Sequence, residues 1–457
     1  MSIDEGLGKS DNIGPNRIFQ SSEGLDWTFT DKPMTAWGGL RLVQEMLSRI
    51  RLRDVLNGCG LPQPGSNRGF DPAEMMEAFM VCVWVGGVRF SHTALLRFDE
   101  TLKEIFGWES VASVSTFTRF FRRFKREDVD LVFGGLNRWF WEQISSPTLT
   151  IDLDSSVVTR FGHQEGVGLG YNPRKRGHSS HQPLFAFVAD LRMVLHAWLR
   201  PGDTGTCNGS TAFMQEALAQ LGGRHRVGLV RADAGFYDGK FLDWLESENL
   251  SYIISAKMST SLKRTIVGQK SWLELGEGVA VAEFEYQVQT WSHARRFVVV
   301  RQELRSRPEA LGKVLIDVPG YLFQAHVTTL SLAPAEIWRL YRGRNDSENR
   351  IAELKYDFGI KGFCLDPFYA TEAAFRAVLL AYNLMSVFRQ ALLQAPKAVR
   401  LPTMRFQCFA LGAWVGRQSR SKVLRISVPS KRRPWFEGLF ARITRLQTPW
   451  AIPLYQT

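Results

Sequence analysis

Apolar residues recur at helical spacing from Thr35 to Leu56, stop at GCGLPQPGSNRG, and resume through residues 71–145. Asp71-Pro72 supplies an N-cap and a first helical residue, and Gly86-Gly87 separates that helix from one holding His92 to Phe106. In SVASVSTFTRFFRRFKRE, Ser115 could cap a helix with Phe117, Phe120, Phe121 and Phe124 on an apolar face and Arg119, Arg122 and Arg123 outside it. From residue 148 the pattern changes. LTIDL, PLFAFVAD, MVLHAWLR, RVGLVRAD and SYIISAK read as strands, with helices at about 209–222 and 237–248. The order is β-β-β-α-β-α-β. Short loops allow the first three strands to form an antiparallel meander, and the later strands need helical crossovers.

Residues 258–330 are again strand-like: VAVAEFEYQVQTW, RRFVVVRQEL and GYLFQAHVTT are rich in β-branched and aromatic residues. A long helix is expected at about 370–394, and basic residues crowd positions 400–433. These patterns divide the chain into a flexible start (1–34), a helical domain (35–146), a first core part (147–257), a β-rich insertion (258–332), a second core part (333–396) and a basic C-terminal region (397–457), expected to be helical. The net charge of +12 points to a polyanionic partner, most simply nucleic acid. Five scattered cysteines with no C-x-x-C pair argue against a zinc site or a disulfide framework. The polar start lacks an apolar signal segment and no run of 18 apolar residues occurs, so a cytoplasmic protein with no membrane partner is expected.

The meander followed by crossovers is the order of a ribonuclease-H-like α/β core. It brings acidic residues to strand ends: Asp152 and Asp154 in LTIDLDSS, and Asp233 in VGLVRADAG. Asp190, closing FAFVAD, is a weaker rival to Asp233 that reads more simply as a turn residue between strands. Downstream, Tyr341, Arg344, Glu348 and Lys355 fall within roughly 60° of one another on a regular helix. Two strand-end carboxylates and one helical carboxylate can hold divalent metal for phosphoryl transfer. Glu353 lies about 120° from that face and reads as solvated. Arg174, Lys175 and Arg176, in a Pro/Gly loop after the first strand, form a candidate phosphate clamp. His178 and His181 have no ligand pattern beside them. The basic-aromatic helix that Ser115 could cap suits a helix-turn-helix contact with DNA.

Tyr341-x2-Arg344-x3-Glu348-x6-Lys355 resembles the YREK signature of bacterial insertion-sequence DDE transposases, the cut-and-paste group that forms DNA hairpins. The resemblance spans about residues 148–395. It implies a ribonuclease-H-like catalytic core with an inserted β-sheet, preceded by a helical DNA-binding domain. It also implies Asp154, Asp233 and Glu348 as catalytic and metal-binding residues, with Asp152 the competing first carboxylate. Arg344 and Lys355 would grip phosphates and Tyr341 would donate a hydrogen bond to one. The implied cofactor is two Mg²⁺ ions, with Mn²⁺ as a substitute. The implied substrate is double-stranded DNA, both the terminal inverted repeats and the target, bound by a homodimer in the synaptic complex. An aromatic residue of the insertion would stack a flipped base, with Trp291, Tyr321 and Phe323 as candidates. Two other readings share the carboxylates or the charge: a nuclease without strand transfer, and a non-catalytic DNA-binding relic.

Overall fold

The structure, a computed structural model, describes residues 18–66, 68–146, 148–173, 175–304, 320–395, 399–450 and 452. The chain begins with helices: α1 (Leu40–Arg49), α2 (Leu52–Gly58), α3 (Pro72–Val85), α4 (Ala94–Arg97), α5 (Glu100–Phe106), α6 (Val114–Arg122) and α7 (Arg126–Glu142). The core follows as β1 (Thr148–Ser155), β2 (Val158–Thr159), β3 (Ser180–His181), β4 (Leu184–Val188), β5 (Met193–Trp198), α8 (Ser210–Gln220), β6 (Arg226–Ala232), α9 (Gly239–Ser247) and β7 (Tyr252–Ser255). Next come α10 (Thr260–Val267), β8 (Leu273–Gly276), β9 (Val279–Tyr286), β10 (Arg295–Glu303) and β11 (Tyr321–Thr328). The chain closes with α11 (Pro334–Arg342), α12 (Asp346–Tyr356), α13 (Phe368–Val387), α14 (Leu401–Met404), β12 (Ala413–Gln418), β13 (Ser421–Ile426) and α15 (Arg433–Thr444).

One nine-stranded sheet runs β5-β4-β1-β6-β7-β11-β10-β9-β8. β4 is antiparallel to β1 and β5, whereas β6 pairs parallel with β1 and β7 parallel with β6. This five-strand portion has the order and directions expected of a ribonuclease-H-like core. The insertion differs from expectation in one respect. Instead of a separate sheet, β11 pairs antiparallel with β7 and the remaining strands extend the core sheet sideways. The exposed main-chain edge of β7 makes this the simplest way to satisfy its backbone groups.

Asp71 caps α3, its carboxylate accepting from the Ala73 and Glu74 amides at 2.7 and 3.0 Å. The helix expected over His92–Phe106 is broken at Asp99, which instead caps α5 by accepting from Leu102 N at 2.7 Å. Ser113, two residues before the expected cap, accepts from Thr116 N at 3.2 Å and starts α6. Phe117, Phe120, Phe121 and Phe124 are all buried, while Arg119, Arg122 and Arg123 are exposed. One continuous hydrophobic cluster joins these helices, the sheet and α13; for example, Phe121 and Phe363 both lie 4.8 Å from the Phe79 ring. The expected flexible start lies partly outside the described residues; within 18–34, Phe19 bridges Trp27 with stacked rings 4.1 Å apart. The C-terminal region is not simply helical, because β12 and β13 form a two-stranded ribbon. The apolar stretches WV and VL are too short, and too close to Arg417, Lys422 and Arg425, to mark it as a ribbon. No single helix is long and apolar enough to cross a membrane.

Candidate active site

β1 shows how a strand delivers carboxylates. Leu149, Ile151 and Leu153 point into the main core, and Asp152 and Asp154 point to the opposite face, under α11 and α12. The parallel pairing of Leu153 with Ala232 makes Asp154 and Asp233 neighbours where β6 stops. The Asp233 carboxylate turns the chain there by accepting from Gly235 N at 2.8 Å. A side chain at Gly235 would force its neighbours to move: an added Cβ would lie 2.8 Å from Asp233 Oδ1 and 2.6 Å from Thr206 Cγ2.

The signature segment is one helical path with a change of pitch. Tyr341 ends α11, Arg344 lies in a 3₁₀ turn (Gly343–Asn345), and Glu348 and Lys355 belong to α12. A 3₁₀ turn advances about 120° per residue, so its three residues rotate Tyr341 by about 60° from the face expected of a uniform helix. Tyr341 therefore faces β7 and β11, where it shares a hydrogen bond with Ser255 and packs 4.0 Å from the His326 ring. His326 is fully buried with neither ring nitrogen hydrogen-bonded among the described residues, and burial pushes its pKa down to about 3. It acts as a neutral, apolar floor for the tyrosine.

Arg344 is buried between the two aspartates, its Nη2 3.1 Å from Asp154 Oδ2 and 3.9 Å from Asp233 Oδ2. The Asp154 carboxyl is pushed up to about 6, chiefly by burial, with Arg344 opposing the rise and the negative charges of Asp233 and Glu348 adding to it. Burial works to deprotonate Arg344, but the facing Asp154 holds it above its ordinary value. Glu348 is exposed in the first turn of α12, and Lys355 is half-buried in its last. The site thus brings together Asp154, Asp233, Glu348, Arg344 and Tyr341. Its donor set is entirely carboxylate oxygen and carries excess negative charge around Asp154, which fits hard divalent cations. Among the described residues, the only trio of such side chains with ligand atoms within 4.8 Å of one another lies elsewhere: Asp243, Glu246 and His293. Arg295 already neutralises that trio at 2.6 Å from Asp243 and 2.7 Å from Glu246.

Asp152 has a different environment from Asp154. It is fully buried and bound in a fork by Arg231 at 2.6 and 3.0 Å, with Ser347 Oγ at 3.1 Å. Arg231 also donates to Leu340 O, tying β6 to the end of α11. This ion pair fixes the helical segment on the sheet below Asp154. Its sequence signal was Arg231 itself, a charge inside an apolar strand two residues before Asp233. Asp190 is a turn residue, accepting from Thr150 N at 2.8 Å. Glu353 is not solvated: it is buried against Arg389 at 3.0 Å and accepts from Leu401 N. Helical phase alone missed this because α13 and the chain that follows cover that side.

Of the loop cations, Arg174 lies outside the described residues, while Lys175 and Arg176 are exposed and Lys175 sits 4.5 Å from the Phe161 ring. His181 is buried between Arg160 and the Glu165 carbonyl, and burial pushes it down to about 4. Among the stacking candidates, Trp291 and Phe323 are core residues and Tyr321 is half-buried.

The family model described as "Transposase DDE domain group 1" matches residues 20–448. The chain belongs to the DDE transposases. The transposase is also similar to a solved structure, the cryo-EM structure of piggyBac transposase synaptic complex with hairpin DNA, at 11% identity and a TM-score of 0.45, covering 92% of this chain and 85% of that one. No curated protein matches the transposase.

Proposed function

We propose that this transposase cleaves and joins DNA at the terminal inverted repeats of its own bacterial insertion sequence, using Asp154, Asp233 and Glu348 as the catalytic carboxylates. The observation that carries the reading is the meeting of Asp154 and Asp233 at adjacent parallel strand ends, with Arg344 between them and Glu348 close enough to raise the Asp154 pKa. The implied cofactor is Mg²⁺, two ions, with Mn²⁺ able to replace it; bound there, the ions would polarise the attacking hydroxyl and neutralise the leaving 3′-oxygen. Asp154, Asp233 and Glu348 would hold them. Asp152, engaged by Arg231, is left to position the helix.

Arg344 then has two tasks. Without metal it screens Asp154 from Asp233; with DNA its guanidinium is placed to turn toward a phosphate beside the scissile bond. Lys355, seven residues beyond Glu348, would hold a second phosphate along the same helix face. Tyr341, fixed by Ser255 and His326, would orient the arginine or donate to a phosphate. The Phe-anchored α6 would present Arg119, Arg122 and Arg123 to DNA, and Lys175 and Arg176, with Arg174, would contact the phosphate backbone. A homodimer on paired ends and action on cytoplasmic, nucleoid DNA complete the reading.

The test is incubation of the protein and Mg²⁺ with a supercoiled plasmid carrying its gene and native flanks, beside Asp233→Ala. Nicks or hairpins at inverted-repeat ends, absent with the variant, are expected. Cutting without end specificity would instead favour a nuclease.

A further inference from the structure

The positive charge of this chain is not spread over it. Residues 373–436 contain twelve Lys and Arg and no Asp or Glu, which equals the net charge of +12 for the whole chain. Everything outside that stretch is therefore balanced. Within it, several cations are consumed by the fold. Arg376 pairs with Glu372, Arg389 with Glu353 and Arg400 with Asp357, while Arg405 donates to the carbonyls of Val83, Trp84 and Asp357. Apart from Lys397, which lies outside the described residues, what remains is gathered on and just after the β12–β13 ribbon. Arg417, Arg420 and Arg425 are exposed and make no ion pair among the described residues.

The ribbon's two ends differ. Its root is fixed: Ala413 exchanges both backbone hydrogen bonds with Thr35, at 2.8 and 2.9 Å, and Lys32 lies 3.9 Å from the Trp414 ring. Beside the tip of the ribbon, Lys422 is tied to Glu104 of α5 at 2.8 Å. The tip, from Arg417 to Ser421, is exposed, with Ser419 turning the chain at φ 55°. Arg417 stands directly across from Lys422, whose charge Glu104 already answers, so Arg417 is the cation of that pair left for an outside anion. Two strands of six residues make an arm about 20 Å long. A two-stranded ribbon of this kind fits the major groove of B-form DNA, which is about 12 Å wide.

We propose that the β12–β13 ribbon is a duplex-DNA docking arm that holds backbone phosphates through Arg417, Arg420 and Arg425. The proposal rests on the transposase reading for its partner, but it assigns a site outside the carboxylate centre. The charges are unpaired and concentrated, the mount is rigid, and no base-reading contact is required, so the arm supplies affinity and orientation rather than sequence choice.

The experiment measures binding of the full-length protein to a fluorescent 40-base-pair duplex of one element end, and to an unrelated duplex, across a salt series. The proteins are wild type, the triple variant Arg417→Gln, Arg420→Gln, Arg425→Gln, and the triple Arg→Lys variant at the same positions. The expected result is at least a tenfold loss of affinity for the Gln variant on both duplexes, with the slope of log K against log salt shallower by about 2 to 3, at about 0.9 per lost phosphate contact. The Lys variant should keep the wild-type slope, and thermal melting should not distinguish the three proteins. An unchanged slope in the Gln variant overturns the proposal, as does a loss of self-association with unchanged DNA binding, which would make the ribbon a contact between copies. If the wild type binds duplex steeply through the ribbon yet never cleaves element ends, the docking arm stands and the transposition reading falls.

Discussion

The raised pKa of Asp154 makes the apo site a source of instability that can be measured. Its carboxyl moves from 3.8 in the open chain to about 6 in the fold, chiefly through burial. The folded protein thus holds the proton more tightly than the unfolded chain does. Stability from this group is complete at low pH, declines as pH rises from about 4 to 6, and stays lost above that range. The shift of about two units corresponds to roughly 3 kcal/mol, an order-of-magnitude value that already includes the pull of Arg344. Asp154→Asn places a permanently neutral group of the same shape at the site and removes this penalty. At about 2.1 cal/mol/K per residue, the unfolding entropy of 457 residues is on the order of 1 kcal/mol/K, so 3 kcal/mol is about 3 °C in melting temperature. The assay is thermal melting of both proteins in EDTA between pH 4.5 and 7.5. The variant should gain about 2–3 °C on the wild type across that range, and saturating Mg²⁺ at pH 7.5 should stabilise the wild type alone. A difference that stays flat with pH, or that favours the wild type as pH rises, would refute the reasoning.

Other expectations follow from the same geometry. Asp152→Ala leaves Arg231 buried without its partner and should cost about 3–5 kcal/mol in denaturant unfolding, with or without metal; a loss below about 1 kcal/mol would contradict a structural role. Glu348→Gln changes an exposed residue and should melt like the wild type, yet reduce Mg²⁺-dependent end cleavage to about 1% or less. Gly235→Ala forces a methyl group against Thr206 and the Asp233 carboxylate, so cleavage should fall more than about tenfold for a stability cost of about 1–3 kcal/mol; normal turnover would show that the turn tolerates displacement. Replacing Arg119, Arg122 and Arg123 together by Gln should lower the salt dependence of DNA binding by about 0.9 per lost contact, and no change would remove α6 from the DNA surface.

The five core strands were legible because each is a short apolar run ending in polar or turn residues, and their order left few ways to arrange them. Asp154 and Asp233 could be placed for the same reason: both follow apolar runs that must stop at a sheet end. What sequence could not show was how neighbouring elements meet. Periodicity marks the strands of the insertion but not that β11 completes the edge of β7. A uniform helix places Tyr341 with Glu348, whereas the turn at Gly343–Asn345 rotates it onto His326 and Ser255. Glu353 faces away from the signature stripe, so only the position of Arg389 on the packed helical path after Val387 reveals that it is buried. The Asp152–Arg231 pair is the converse case. Both charges were visible inside apolar strands, and a charge in such a place demands a partner.

Ligation of the divalent ions by Asp154, Asp233 and Glu348 is a proposal that binding itself can decide. It is tested most directly by counting Mn²⁺ bound to the full-length protein assembled on element-end DNA, by electron paramagnetic resonance titration, for the wild type, Asp233→Asn and Glu246→Gln. Two ions per active site are expected in the wild type, fewer in Asp233→Asn, and the wild-type number in Glu246→Gln. Unchanged binding in Asp233→Asn, or a loss confined to Glu246→Gln, would contradict the proposal and move the metal to the Asp243, Glu246 and His293 cluster.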